Sequence, residues 1–393
     1  MGVFPTHETS LSVSNFSLKN TLNHVLRLRR GLRTYLTAKW LLFWLKTRYR
    51  RPLESVIAVN YFTDTLILRN TRGALTGGSV KLHHLQRKYP NSTNHFSILY
   101  LVSSALPPHA PILAAWAKSN GIKIILNQDG VAYSAWTQNY KEINKELTTL
   151  ISLADLVIFQ SSFCQLAAKR FLPAVPASAR ILPNCADLDE FKPGRPPLPL
   201  KKGAPIRLLV SGTHHHRERI VIPLLAMKHL LTLGTCTQLV IAGPMAWHDA
   251  TSDIDQEIRT LGLHDSVSLL GNFSQQQAPS IYQSADIFLH LKYKDPCPTT
   301  VIEAIACGLP VVALNSGGIP ELINDDCGVL LHVEDSWETM IYPTAEHVAK
   351  AITRIVVDYP NLSRAARIYA EKHFGSTNWV EQHTNEFKNL LKL

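Results

Sequence analysis

The feature that most constrains this chain is a series of short apolar runs that do not alternate with polar residues. Ser55–Asn60, Phe96–Val102, Lys123–Gln128 and Leu156–Gln160 lie in the first half; Ile206–Gly212, Gln238–Gly243, Val267–Asn272, Ile287–Lys292, Pro310–Asn315 and Gly328–His332 lie in the second. Runs of this kind, rich in β-branched residues, suit strands buried on both faces. Segments with helical spacing separate them, at 143–153, 222–233, 299–307 and 343–357. Strands and helices in alternation imply parallel sheets with helices on both sides. One stretch breaks the rhythm. Residues 190–205, EFKPGRPPLPLKKGAP, hold five prolines and two glycines, which neither a helix nor an inner strand accepts.

The spacing therefore predicts an α/β chain of two doubly wound, Rossmann-like domains facing a central cleft. Residues 53–195 form the first, 196–205 the linker, 206–370 the second, and 371–393 a closing helix near 376–392. Ligands of such sheets bind beyond the carboxyl ends of the strands, so the cleft is the expected site.

Charge is unevenly spread. Of the formal net charge of +10, residues 1–52 carry ten basic residues against the single acid Glu8. The remainder is close to neutral, which argues against a nucleic-acid-binding surface. The six cysteines form no C-x-x-C pair and none precedes residue 164. That is neither a zinc pattern nor a disulfide framework, and a reducing cytoplasm is the expected setting. No apolar run reaches the ~18 residues of a membrane span, and MGVFPTHETS does not read as a signal peptide.

The most informative stretch is 295–323, DPCPTTVIEAIACGLPVVALNSGGIPELI. A polar loop, Asp295–Pro298, leads into a helix beginning at Thr299 or Thr300, which Gly308 ends before a strand at Pro310–Asn315. The helix N-terminus then points at the ligand-binding edge, where free N–H groups and the helix dipole favour an anion such as a diphosphate. Thr300-Val-Ile-Glu303 also reads as a capping box, in which Glu303 would satisfy only the helix start; the spacing leaves both readings open.

This stretch resembles the donor-binding signature of retaining GT-B glycosyltransferases of glycosyltransferase family 4 (group 1): an acid, seven residues, a glutamate, then AIACGLPVVA and Gly317, Gly318 and Glu321. VIAGP (240–244), VSLLGNFSQ (267–275), ADIFLHL (285–291) and PNCADLDEF (183–191) extend the resemblance over most of 55–370. It implies that Glu303 holds the ribose hydroxyls of a nucleotide and Asp295 the hydroxyls of the donor sugar. The backbone from Pro298 through Thr299 and Thr300 would hold the diphosphate, and Gly271-Asn272-Phe273 would lie near the base. Asp295 stands where the family usually has glutamate, one methylene longer.

Four further features bear on the same chemistry. SGTHHHRER, 211–219, follows a strand ending in Gly212; an arginine fork matches phosphate oxygens. The family neutralises its departing diphosphate with a basic pair after this strand, without a metal. Here that implies Arg217 and Arg219, with Arg219 preferred. His214, His215 and His216 are adjacent and cannot all converge on a metal, so a polar loop is expected. Gly77-Gly78 precedes a helical segment, and the family places Gly78 near the donor phosphate; a plain loop is the alternative. Asn127 and Asp129, in Asn127-Gln128-Asp129-Gly130, read either as a turn or as substitutes for a sugar-touching histidine that the family often has there and this chain lacks.

Residues 27–51 carry nine basic residues, no acid, and the aromatic stretch Tyr35–Leu45. Leu36, Trp40, Phe43 and Trp44 share one helical face, the pattern of a helix lying on an anionic membrane surface. Packing against the first domain is the alternative.

The resemblance implies transfer of a glycosyl group from a nucleotide diphosphate sugar to a hydroxyl of a glycan or lipid-linked acceptor. It implies retention, no metal and no cofactor beyond the donor, and a peripheral place on the inner face of the cytoplasmic membrane, in envelope polysaccharide, lipopolysaccharide or glycolipid synthesis. A nucleotide-sugar epimerase and a non-catalytic binding protein of the same fold are the alternatives. No G-x-S-x-G, H-E-x-x-H, Walker A or G-x-G-x-x-G pattern supports another chemistry.

Overall fold

A computed structural model describes residues 49–50, 56–62, 77–173, 178–201 and 203–393. The basic segment expected to lie on a membrane, apart from Tyr49 and Arg50, falls outside the described residues, as do 63–76.

The described strands form two parallel sheets. The first is ordered β1 (Val59–Asn60), β2 (Ile98–Val102), β3 (Lys123–Gln128), β4 (Leu156–Phe159), β5 (Ala179–Ile181). Four of these sit within the expected apolar runs. The fifth was not expected: three residues at an edge, largely exposed, carry no hydrophobic pattern. Around this sheet lie α1 (Gly77–Lys88), α2 (Ala110–Ser119), α3 (Tyr140–Leu153) and α4 (Ser162–Phe171).

The second sheet comprises β6 (Ile206–Ser211), β7 (Thr237–Ala242), β8 (Val267–Gly271), β9 (Ile287–His290), β10 (Val311–Leu314) and β11 (Gly328–Leu331). Its helices are α5 (Glu218–Thr232), α6 (Ala250–Thr260), α7 (Ala278–Gln283), α8 (Thr299–Ala306), α9 (Ala345–Val357), α10 (Tyr359–His373) and α11 (Ser376–Leu391).

The two sheets differ in winding. The second runs β8-β7-β6-β9-β10-β11, so its order reverses between β6 and β9. The described strands of the first run in chain order with no reversal. A crevice opens where neighbouring strands send their connections to opposite faces. In the second sheet that point lies between the ends of β6 and β9, which are paired through Leu208–Ile287 and Leu209–Phe288.

The core follows from the apolar runs. Val210, Leu224, Ile241, Leu289 and Val312 pack on one side of the second sheet; Leu209, Phe288, Ile302, Val311 and Ala313 pack on the other. The last helix returns to the first lobe. Trp379 and Phe387 of α11 join Val59, Leu82, Tyr100 and Ile158 in its core. The chain therefore crosses between lobes twice, and the two crossings are tied together: Ala186 N–H donates to Phe374 O at 2.9 Å and Ser376 N–H to Ala186 O at 2.9 Å.

The lobes also meet at the cleft. Glu321, in the loop after β10, accepts from the N–H groups of Ser162 at 2.7 Å and Phe163 at 2.9 Å, capping α4 from the opposite lobe. Trp337 stacks on Phe163 with centroids 5.6 Å apart and meets Tyr133 and Phe171 edge-on.

Candidate functional site

Several expected site residues of the second lobe lie at the β6/β9 crevice: Gly212 and Arg219 after β6, Asp295 after β9, and the start of α8. Gly212 ends β6 with φ at +111°, and Gly243 ends β7 with φ at +107°. A Cβ on Gly243 would stand 2.2 Å from Gly212 O, so only glycine lets the two backbones pass this closely. The ideal Cβ position at Gly212 lies 3.6 Å from Thr300 Cγ2, which places the end of β6 against the start of α8.

That start is open. Pro298 is the N-cap of α8, Thr299 and Thr300 are its first two residues, and no side chain caps it. Proline cannot donate, but the first helical N–H groups have no intrahelical partner and point outward with the positive end of the dipole. The capping-box reading of Glu303 fails, because Thr300 lies inside the helix, not at its cap. Glu303 instead accepts from Tyr282 Oη at 2.9 Å and Gln275 Nε2 at 3.3 Å. It is 6% exposed, and burial lifts its carboxyl to about 7, against the pull of Gln275 and Tyr282. Asn272 is exposed and Phe273 half-buried in the loop before α7, near Gln275.

The arginines separate. Arg217 turns away from the crevice onto α6, where its Nε reaches Asp253 at 2.8 Å and its Nη2 reaches Glu257 at 2.6 Å. Of the two arginines expected to face the donor, Arg217 therefore rests on α6. It is the N-cap of α5. Arg219 points inward. It is 4% exposed, donates Nη1–H to Thr213 O at 2.6 Å, and its Nε has no partner. Burial lowers its basicity, and Asp295 is the chief group that opposes this. A buried guanidinium without a carboxylate on it is expensive unless an anion arrives.

Asp295 is buried at the mouth of β9. Its Oδ2 lies 3.1 Å from His290 Nε2 and 3.0 Å from Lys292 Nζ. Burial would raise its pKa, but Lys292 and His290 overcome that and hold the carboxylate ionised, below the usual range. His290 Nδ1 is buried without a partner. The three adjacent histidines diverge as expected. His214 turns in, its Nε2 at 3.1 Å from Ala242 O, and burial lowers its pKa to about 3; His215 turns out. Among the described residues no group of three His, Cys, Asp or Glu could hold a metal.

The expected first-lobe residues behave differently. Gly78 stands in the first turn of α1, and a Cβ there would meet Ser104 Oγ at 2.6 Å. Its bareness brings α1 against the end of β2. Asn127 Oδ1 accepts from Lys81 Nζ at 3.0 Å, and Asn127 Nδ2 donates to Tyr100 Oη at 2.9 Å. Asp129 accepts from Lys81, Ser104 and Gln160. Both are saturated by neighbours in their own lobe. Lys81 is buried and takes its counter-charge from Asp129.

Four participants escaped the sequence reading. Tyr282 and Gln275 position Glu303, and His290 and Lys292 position Asp295. Gln275 ended the quoted segment VSLLGNFSQ without being singled out, and Tyr282 lay in a short helix without pattern. Lys292 lay inside an expected strand, three residues before Asp295, and that spacing was its only signal.

Comparison with known proteins bears on the family and the fold. Residues 196–373 match the family described as "Glycosyl transferases group 1". D-inositol 3-phosphate glycosyltransferase of Corynebacterium jeikeium is 28% identical over 220 residues, 52% of this chain and 50% of the relative. The chain spans about half the length of the curated relatives it matches. Anabaena HepE, solved with UDP-glucose, superposes with a TM-score of 0.61 at 15% identity, covering 85% of this chain and 99% of that one. Sucrose-phosphate synthase of Thermosynechococcus elongatus superposes at 0.60 and 19%, covering 80% and 77%. Residues 196–373 thus resemble the group 1 glycosyl transferases, and the two parallel sheets have the GT-B fold of these structural neighbours.

Proposed function

We propose that the protein is a retaining, metal-independent glycosyltransferase of family 4 that moves a glycosyl group from a nucleotide diphosphate sugar to an acceptor hydroxyl. The observation that carries this is the buried, carboxylate-free Arg219 beside the open N-terminus of α8. Together they offer charge where a diphosphate departs, in a setting where water cannot screen it. The bond from the sugar to the diphosphate breaks, the acceptor oxygen takes the sugar carbon, and a phosphate oxygen takes the acceptor's proton. Positive charge from Arg219 and the helix does the work a metal does elsewhere, which supports the metal-free reading. Glu303 has the burial and the two carboxylate oxygens, each oriented by one donor, suited to a pair of ribose hydroxyls, and Asp295 the placement for a sugar hydroxyl. HepE was solved with UDP-glucose, so uridine nucleotides are the first donors to try.

The acceptor we infer is a glycan or lipid-linked glycan of the cell envelope, reached at the inner face of the cytoplasmic membrane through the basic residues 27–51. No helix among the described residues is long and apolar enough to cross a membrane. Thermal stability against a panel of nucleotides and nucleotide sugars tests the donor reading. A ligand at 100 times its Kd stabilises by about 2.7 kcal/mol. A shift with one nucleoside diphosphate that Glu303→Ala abolishes is expected; no shift with any would overturn it. Deleting residues 1–52 should release the protein from vesicles containing anionic lipid, and unchanged binding would refute the membrane contact.

A further inference from the structure

Arg217 and Arg219 differ in one respect that leaves a gap in the donor site. A nucleoside diphosphate leaves with about three negative charges. Arg217 is already neutralised by Asp253 and Glu257 on the outer side of α5. Arg219 and the helix end alone give roughly one and a half positive charges. A second cation is needed on the crevice side.

The loop that follows β9 carries two lysines. Lys294 is buried, paired with Asp335, and its Nζ lies 3.9 Å from the ring centre of Trp337. It is committed to holding the 334–338 loop. Lys292 is different. Its side chain is 40% exposed, and among the described residues its ion-pair contact is Asp295 Oδ2 at 3.0 Å, an oxygen it shares with His290. It stands two residues beyond the end of β9, while Arg219 is reached from the end of β6, the strand paired with β9. The two cations thus flank the crevice made by the reversal of strand order. His215 and His216, in the loop between them, feel both: after burial, the charges of Lys292 and Arg219 depress the basicity of each, with Glu218 opposing at His216.

We propose that Lys292 is the second cation of the diphosphate site, in the role that the family resemblance implied for Arg217. It rests against Asp295 when no donor is bound. A lysine is a compact charge on a flexible stem, so it can swing from the carboxylate to a phosphate oxygen without disturbing the strand that bears it. The exchange also frees Asp295 Oδ2 for a sugar hydroxyl. Charge on the phosphate and access to the sugar contact are thereby coupled through one side chain. This inference rests on the donor reading above.

The test measures binding of UDP, GDP and ADP, each beside its own nucleoside, by calorimetry on the full chain and on Lys292→Ala, Lys292→Gln, Lys292→Arg and Arg217→Ala. For the diphosphate that the parent binds, Lys292→Ala and Lys292→Gln are expected to weaken affinity about ten-fold or more, a change of about 1.4 kcal/mol, and to leave the nucleoside unchanged. Lys292→Arg should keep most of the affinity and Arg217→Ala all of it. A merely structural lysine would lower both ligands together or neither. An unchanged ratio of diphosphate to nucleoside affinity in both neutral variants overturns the role of Lys292 and leaves the donor reading standing. A parent that binds none of the three diphosphates overturns the donor reading, and this inference with it.

Discussion

The carboxyl ends of the two sheets carry similar side chains in opposite states. At the first, Lys81, Asp129, Asn127, Gln160 and Ser104 satisfy one another, and Tyr100 links them to His383 at 3.0 Å. At the second, Arg219 Nε, His290 Nδ1 and His214 Nδ1 are buried without partners. A closed network has nothing to offer a ligand, and it specifies how the lobe packs. An open one stores an unmet demand that a bound anion can meet. The first edge keeps one such unmet atom, Gln128 Oε1 at the end of β3, and the second keeps several. In the first lobe most of these polar residues are paired with one another, and in the second several stay buried and unpaired.

The largest effect should come from opening the closed edge. Asp129→Leu leaves Lys81 buried without its counter-charge, and breaking such a pair costs about 3–5 kcal/mol. Urea unfolding measures this, and Lys81→Met added to Asp129→Leu should recover most of the loss. A single variant within 1 kcal/mol of the parent would mean that water reaches the network.

Closing the open edge should do the reverse. Arg219→Met keeps the apolar stem and removes the unpaired charge. Transfer is expected to fall about 10²–10³-fold, while the thermal midpoint holds or rises. A midpoint that falls with activity would show that Arg219 serves the fold.

Glu303 sharpens the comparison through pH. Its carboxyl titrates at about 7 in the folded protein and near 4.5 when exposed, because burial disfavours the charge. The folded state therefore binds more protons than the unfolded state between these values, and this residue's contribution to stability declines as pH rises from about 4.5 to 7. Glu303→Gln should flatten that decline. Nucleoside affinity should rise as pH passes upward through about 7 in the parent and stay level in the variant, because the ionised carboxylate is the better acceptor. A parent affinity independent of pH would contradict the role given to Glu303.

The smallest effect belongs to Arg217→Ala. An exposed pair of this kind contributes up to about 1 kcal/mol, so activity should stay near that of the parent. A large loss would return Arg217 to the donor site.

Much of the second lobe was legible because its constraints are local. The apolar runs mark strands buried on both faces, Gly308 ends α8, and the spacing from Asp295 to Glu303 puts one acid before the helix and one on it. These follow from periodicity and cap chemistry over a few residues. What escaped was set at long range. The partners of Glu303 come from 21 and 28 residues away, the cap of α4 from 159 residues away, and the packing of α11 on the first lobe from the far end of the chain.

By itself the sequence determined the alternation of strands and helices, the proline-rich break between lobes, and the helix start that faces the crevice. Only the tertiary structure decided which of two arginines two positions apart turns inward, which acid is free and which is neutralised, and which lysine stands beside Asp295. The first set depends on short-range backbone geometry, which a few neighbouring residues dictate. The second depends on which side chains meet after distant strands are brought edge to edge, and burial then makes each unmet or satisfied charge count.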